Sequence, residues 1–411
     1  MKFCVESYGC TMNQGETEML AESLEEKGHE RVNSVEEADK ALIGTCVVIR
    51  KTEERMKRRI EELQEEVSEV MVSGCLASIE SREDIGGKIP SLTSGSRCEL
   101  ELISPDEVQI SAVKAGQGRG IIGTIPIASG CYGNCAYCIT KLARGGLKSR
   151  PPGKIKKRFK ELLSSSTEEI RLTCQDTALY GRDISTDINE LLHELLKIGG
   201  DYRIRVGMMN VNTLKEIKDD FIEMIGEERI YTFLHLPLQS GSNAVLKRMN
   251  RKYTAEEWME ITEEFREKFP DLTLSTDVIV GFPREEREDF EKTKEMVKRA
   301  RPDIVNVTRF SPRRGTKAAE MDEKVHSREK KRRSKEMTDL RFEISRKINE
   351  GYVGRTTQAL VLEEGKGDSL KARMDNYKVV VLKEEDKELI GEQIEVKIKR
   401  AEDVYLLGER V

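Results

Sequence analysis

Cys131, Cys135 and Cys138 lie in one short turn, Ser129-Gly130-Cys131-Tyr132-Gly133-Asn134-Cys135-Ala136-Tyr137-Cys138, directly after an apolar run over residues 121–128. A loop that tight points three sulfurs into one small volume, so the fold must present it at the end of a strand and leave room for what the sulfurs hold. Structural zinc takes four closed tetrahedral ligands. No fourth Cys or His lies near in sequence, the next being Cys174 and His193. Three is the wrong number for structural zinc. Three thiolates suit a four-iron, four-sulfur cube, each holding one iron and leaving the fourth open to a small ligand.

The first hundred or so residues alternate short apolar runs with charged helical stretches. They predict strands over 3–7, 40–43 and 69–72 and helices over 16–27 and 53–65. A βαβαβ order implies a parallel sheet with right-handed crossovers. Cys10, Cys46 and Cys75 each follow one of these strands, at the carboxyl edge where ligands of doubly wound sheets bind. One such cysteine alone reads as a small buried hydrophobe; three in equivalent topological positions read as the ligands of a second cluster. Cys4 and Cys98 lack that placement and read as structural.

Residues 104–120 form a linker marked by Gly116, Gly118 and Gly120. The part that follows predicts six strands, over 121–128, 169–173, 203–206, 232–237, 273–280 and 304–310. Helices fall between them over 154–164, 188–197, 214–225, 255–268 and 287–300. The alternation predicts an incomplete parallel (β/α)6 barrel, with chemistry at the carboxyl ends of its strands. Those ends carry the unusual residues. After the second strand come Gln175 and Asp176, after the fourth Gln239, Ser240 and Gly241, and at the fifth Asp277 and Gly281. Polar side chains there supply hydrogen bonds to a polar cofactor, and glycine permits close backbone approach. His235 reads as hydrogen-bonded structure and Cys174 as packing.

Residues 317–350 are strongly charged and helical, with Arg328-Glu329-Lys330-Lys331-Arg332-Arg333-Ser334-Lys335 the most basic part. Such a run is either a solvated face or a phosphate contact. The tail, 351–411, changes character: five short β-rich runs over 356–362, 370–374, 377–382, 393–399 and 404–407 predict a small OB-like barrel, a shape that often binds oligonucleotides. With 70 basic and 75 acidic residues the chain carries net charge −5, so bulk charge does not draw it onto nucleic acid and any basic surface is local. Nine cysteines without a secretory signal argue against a disulfide framework. No apolar run is long enough to span a bilayer. A reducing cytoplasm, where thiolates stay free for metal, is the expected location.

The Cys-x3-Cys-x2-Cys spacing resembles the radical S-adenosylmethionine superfamily. Taken together, Tyr8-Gly9-Cys10-Thr11-Met12-Asn13, Thr45-Cys46-Val47, Gly74-Cys75-Leu76-Ala77, the three-thiol loop with Arg144-Gly145, Leu236-Pro237-Leu238-Gln239-Ser240-Gly241-Ser242 and Gly281-Phe282-Pro283 resemble its methylthiotransferases over nearly the whole chain. The tail looks like the RNA-binding TRAM domain of that family. Thr45-Cys46-Val47-Val48-Ile49 with Thr52-Glu53-Glu54-Arg55-Met56 is most similar to the archaeal and eukaryotic branch acting on threonylcarbamoyladenosine in tRNA.

That resemblance implies three domains, 1–103, 121–350 and 351–411, and two [4Fe-4S] clusters. It also implies S-adenosylmethionine on the open iron of the cluster at Cys131, Cys135 and Cys138, and an external electron donor. The reaction it implies places a methylthio group at carbon 2 of the modified adenosine next to the anticodon. The cluster at Cys10, Cys46 and Cys75 would then carry the incoming sulfur. No side chain is assigned a catalytic role beyond the clusters. An unactivated carbon–hydrogen bond offers nothing to a general base, which is why the radical must come from a cofactor. Rival readings are a methylthiotransferase for isopentenyladenosine or for a ribosomal-protein aspartate, and a zinc-stabilised RNA-binding protein. The chain departs from the family in having Gly44 where Asn usually precedes Thr-Cys, and in having Cys174 where a smaller or hydroxylated residue is common.

Overall fold

In the N-terminal part, five parallel strands lie in the order Glu30–Arg31, Lys2–Ser7, Lys40–Thr45, Glu69–Gly74 and Glu99–Ile103. The structure, a computed structural model, describes residues 1–80, 99–103, 120–384 and 386–411. Cys98 and all of the linker but Gly120 therefore lie outside the described residues. Two edge strands add to the three expected. Glu30–Arg31 is too short to show a pattern, and Glu99–Ile103 breaks its apolar run with Glu99 and Glu101. Helix Arg50–Glu66 buries Met56, Ile60 and Leu63 against this sheet, a single stripe at helical spacing. Each such side chain contributes about 1.5–3 kcal/mol by leaving water.

Helix Thr11–Glu26 starts directly after Cys10, earlier than its charge pattern suggested. Its first turns are fixed by polar contacts: Asn13 Nδ2 donates to Thr45 O at 2.7 Å, and Thr17 Oγ1 donates to Asn13 O at 2.7 Å. Gly44 follows from this packing. A Cβ there would come 2.1 Å from Thr17 Oγ1, so the helix can approach the strand only where no side chain intervenes.

The six central strands are Ile122–Pro126, Glu169–Thr173, Arg203–Val206, Phe233–His235, Thr273–Val280 and Ile304–Arg309, parallel and in sequence order. The third and fourth meet at a looser seam, held by the Ile204–Ile230 bridge and by Met209 N donating to His235 O at 3.0 Å. Among the described residues the first and sixth strands do not pair, so the barrel is incomplete. Helices Pro152–Ser164, Ile188–Leu196, Val211–Ile225, Ala255–Lys268 and Arg287–Ala300 cover its outside. Ile170, Leu172, Ile204 and Val206 face them in the core. Strand alternation turns Arg171, Arg205, His235 and Asp277 to the interior.

The charged stretch after the sixth strand is two helices, Lys317–Glu320 and Ser327–Glu350, separated by a turn in which Glu323 has φ 55°. The longer helix lays Met337 and Ile344 into the central core. Three of the six cations in its basic run meet carboxylates: Arg333 reaches buried Glu285 at 2.5 Å, Arg332 meets Glu329 at 2.7 Å, and Lys335 meets Asp339 at 2.9 Å.

The tail closes into a five-stranded barrel in the order Thr356–Glu364, Leu370–Met374, Val379–Leu382, Leu406–Arg410, Gln393–Ala401. Its turn Asp375-Asn376-Tyr377-Lys378 docks on the amino ends of the central strands. Thr232 N donates to Asp375 O at 2.9 Å, and the Tyr377 ring lies 4.7 Å from Phe233 and 4.9 Å from Tyr231. The small barrel thus sits at the end of the central array away from the three-thiol loop.

Candidate metal and cofactor site

The strand Ile122–Pro126 leads into the short hairpin of Ala128–Ser129 with Lys148–Ser149, and the three-thiol loop springs from it. Gly130 has φ 75°, and a Cβ there would fall 1.8 Å from Gly146 O; only glycine can make this turn. Gly133 leaves open the space between two thiols, since a Cβ on it would lie 3.1 Å from Cys131 Sγ and 3.9 Å from Cys135 Sγ. Burial pushes the Cys131 thiol up to about 11, opposed by the Gly133 N–H, and burial likewise raises Cys138. A metal binding here must displace those protons. On the far side, Arg251 Nη1 donates to Cys135 Sγ at 3.2 Å.

Cys10, Cys46 and Cys75 come to one place at the carboxyl edge of the N-terminal sheet. Cys10 caps helix Thr11–Glu26, Cys46 follows strand Lys40–Thr45, and Cys75 opens helix Cys75–Glu80. Burial pushes Cys75 up to about 11, Arg144 works against this, and the neighbouring Cys10 and Cys46 add to it. Arg144, 3% exposed, arrives from the helix just after the three-thiol loop. It donates from Nε to Cys75 Sγ at 3.3 Å, from Nη1 and Nη2 to the two oxygens of buried Glu16 at 2.6 Å each, and from Nη2 to Asn13 Oδ1 at 2.6 Å. One guanidinium therefore ties the two thiol-bearing regions together.

Among the described residues, no three His, Cys, Asp or Glu side chains close around a single metal ion. The donor set fits a cube better than zinc. Each triad supplies three sulfurs, the number a cube with one open iron takes, whereas structural zinc takes four ligands.

The residues expected near a cofactor divide in two. Gln175, Asp176, Gln239 and Asp277 stay at the strand ends. The Oε1 atoms of Gln175 and Gln239 are buried without a hydrogen-bond partner, which suits a polar ligand, because leaving such atoms unpaired is costly. Gln175 Nε2 lies 2.7 Å from Met12 Sδ. Burial raises Asp176 to about 6 against the bonds it accepts from Thr213 Oγ1 and Asn210 N. Asp277 is lowered despite its burial by His235, 3.1 Å away, and by Asn306.

Ser240, Gly241 and Gly281 pack against helices. Ser240 Oγ and Gly241 N both meet Thr293 Oγ1 on helix Arg287–Ala300, at 3.3 and 2.9 Å, while a Cβ on Gly281 would strike Lys330 Cγ at 2.4 Å. Their small size allows this close packing. Cys174 is buried in the central core and its thiol is raised by burial, as packing requires.

A cavity of about 240 Å³ opens between the Cys46 loop and the Cys138 loop, lined by Val48, Ile49, Tyr137, Gln239, Asp277 and Arg309 among others. Val48 and Ile49 are 50% and 42% exposed, a bare apolar wall beside the Cys46 loop. Sequence reasoning did not single out Glu16 or Arg251. Glu16 reads as one more charged helix residue, and Arg251 lies in a polar turn whose only signal is a cation two residues before Tyr253.

The chain matches the Radical SAM superfamily over residues 125–297, the uncharacterized protein family UPF0004 over 2–93 and the TRAM domain over 350–411. It is 41% identical to the probable threonylcarbamoyladenosine tRNA methylthiotransferase of Methanocaldococcus jannaschii, covering 100% of this chain and 97% of that one. The threonylcarbamoyladenosine tRNA methylthiotransferase of Xenopus laevis is 31% identical, with 100% and 77% covered. The tRNA-2-methylthio-N(6)-dimethylallyladenosine synthase of Thermosipho africanus is 33% identical, with 100% and 99% covered. Among solved structures, a radical S-adenosylmethionine methyltransferase from Kitasatospora setae, with cobalamin and a [4Fe-4S] cluster bound, shares the fold. Its TM-score is 0.55 at 12% identity, over 77% of each chain.

Proposed function

Because the chain belongs to the threonylcarbamoyladenosine tRNA methylthiotransferases, within the Radical SAM superfamily, we propose that it converts N(6)-threonylcarbamoyladenosine next to the anticodon to its 2-methylthio derivative. The observation that carries this choice of substrate is end-to-end identity of 41% with an archaeal relative of that name, against 33% for a dimethylallyladenosine synthase.

In this reading residues 1–103, 121–350 and 351–411 are the three domains. Cys131, Cys135 and Cys138 hold one [4Fe-4S] cluster, and Cys10, Cys46 and Cys75 hold the other. When bound, S-adenosylmethionine and a reduced cluster supply a carbon radical able to attack an unactivated ring position. Gln175, Asp176, Gln239 and Asp277 offer polar contacts to that cofactor. Val48 and Ile49 give the adenine an apolar wall between the two triads, and Arg144 keeps the triads in register through Glu16 and Cys75. Positioning of this kind, rather than acid–base chemistry, is what the protein contributes. The C-terminal barrel adds a surface for the tRNA. An external one-electron donor completes the set of partners. Among the described residues no helix is long and apolar enough to cross a membrane.

The test is anaerobic reconstitution with iron and sulfide, then incubation with S-adenosylmethionine, reductant and tRNA carrying either modified adenosine. Nucleoside mass spectrometry should find the methylthio product on threonylcarbamoyladenosine; product on dimethylallyladenosine alone overturns the substrate. Iron near eight per chain, as two cubes require, should fall by about half when either triad is replaced.

A further inference from the structure

Each triad has one guanidinium on one of its sulfurs, and the two differ in charge. Arg144 reaches Cys75 at 3.3 Å, but both its terminal nitrogens are on the Glu16 carboxylate at 2.6 Å. That pair is close to neutral. Arg251 reaches Cys135 at 3.2 Å, and its other partners are uncharged: Nη2 donates to Asn210 Oδ1 at 2.5 Å and Nε to the Tyr253 hydroxyl at 3.1 Å. Tyr253 in turn donates to Pro237 O at 2.9 Å and packs under the guanidinium, so the cation is held in place. Among the described residues no carboxylate lies within ion-pair distance of Arg251; Asp176 and Asp277 sense its charge from further away.

We propose that Arg251 is a positioning residue whose unpaired charge makes a cluster at Cys131, Cys135 and Cys138 easier to reduce than one at Cys10, Cys46 and Cys75. This rests on the cluster assignment above. Reduction adds one negative charge to a cluster. A fixed cation beside a ligating sulfur favours that added charge, and does so more strongly away from bulk water. A pair already neutralised by a carboxylate gives much less. One electron, delivered by a low-potential one-electron donor that is itself oxidised, therefore goes to the barrel cluster; no bond forms or breaks in that step. The N-terminal cluster stays oxidised.

The test is an anaerobic redox titration of reconstituted full-length protein without S-adenosylmethionine, following the reduced clusters by electron paramagnetic resonance. Triple Ala variants of either triad isolate the other signal. Wild type should show the barrel cluster at the higher midpoint. Arg251→Met should lower that midpoint by at least the ~59 mV that a tenfold change in a one-electron equilibrium represents, while Arg251→Lys should largely keep it. Asn210→Asp leaves Arg251 in place but pairs its charge, and should lower the midpoint in the same direction. Glu16→Gln should raise the N-terminal midpoint. The proposal is overturned if both clusters form and Arg251→Met and Asn210→Asp leave the barrel midpoint where it was, or if the N-terminal cluster reduces first. Failure to take up iron at either triad strikes the cluster assignment instead.

Discussion

Lys378 Nζ lies 2.6 Å from Asp303 Oδ1, and both side chains are under a tenth exposed. The pair joins the turn of the C-terminal barrel to the amino end of the sixth central strand. Removing one partner of a buried pair costs about 3–5 kcal/mol. Lys378→Met should fall at the lower end of that range, because Arg266 Nη2 stands 3.6 Å from Asp303 and takes up part of the exposed charge. Thermal unfolding measures the cost. A loss under about 1 kcal/mol, the scale of a surface pair, would mean that the docking rests on the Tyr377 ring contacts and on the bonds of Asp375 and Asn376 instead.

Arg144 and Glu16 make the stronger case. Arg144→Met leaves Glu16, 2% exposed, without its cation, and should cost about 3–5 kcal/mol in the metal-free protein. Arg144→Lys keeps the charge but cannot bridge Glu16, Asn13 and Cys75 together, since a single ammonium lacks the planar fork. It should fall between Arg144→Met and wild type in denaturant unfolding. Equal stability of Arg144→Lys and wild type would show that charge alone matters there.

What the sequence made legible is what repeats locally. The strand–helix alternation gave the parallel sheet and the six central strands, and with them the edge on which the cysteines lie; the run of short β-rich segments gave the small terminal barrel. Pairings between distant residues leave no such trace. Arg144 and Glu16 are 128 positions apart, and neither pattern nor spacing connects them. At Ser240, Gly241 and Gly281 the sequence shows small residues at strand ends, which serve close ligand approach or close packing alike. Thr293 and Lys330, against which they pack, lie on helices whose placement only the fold reveals.

Cys174 separates a packing thiol from the triads. Its place in the central core predicts that Cys174→Ser keeps the full iron and sulfide content after reconstitution. Burying a hydroxyl in place of the thiol should cost about 1–3 kcal/mol. Cys131→Ser should show the reverse, losing about four irons per chain, one cube's worth, with little change in metal-free stability. Iron analysis beside thermal unfolding reads both, and loss of iron from Cys174→Ser would make that thiol part of the site.

Acid should loosen the contact between the N-terminal and central parts through Glu53. This carboxylate, on helix Arg50–Glu66, is paired with Arg313 from the loop after the sixth strand. Burial alone would raise it, but the Arg313 bond and charge, with Lys57 beside it, hold it below its ordinary value of 4.5. A carboxylate held lower in the folded chain binds fewer protons there than when unfolded, so its stabilisation is full above pH 4.5 and drains away as pH falls through the folded value. Glu53→Gln removes the titrating group and should cost about 1.5–3 kcal/mol near neutral pH, the worth of a hydrogen bond to a charged group. Below about pH 4.5 the wild-type unfolding temperature should drop towards that of the variant. The difference between the two curves cancels the other carboxylates, which titrate in both proteins. A gap that stays constant from pH 7 to pH 3.5 would show that the Glu53 charge contributes nothing to the contact.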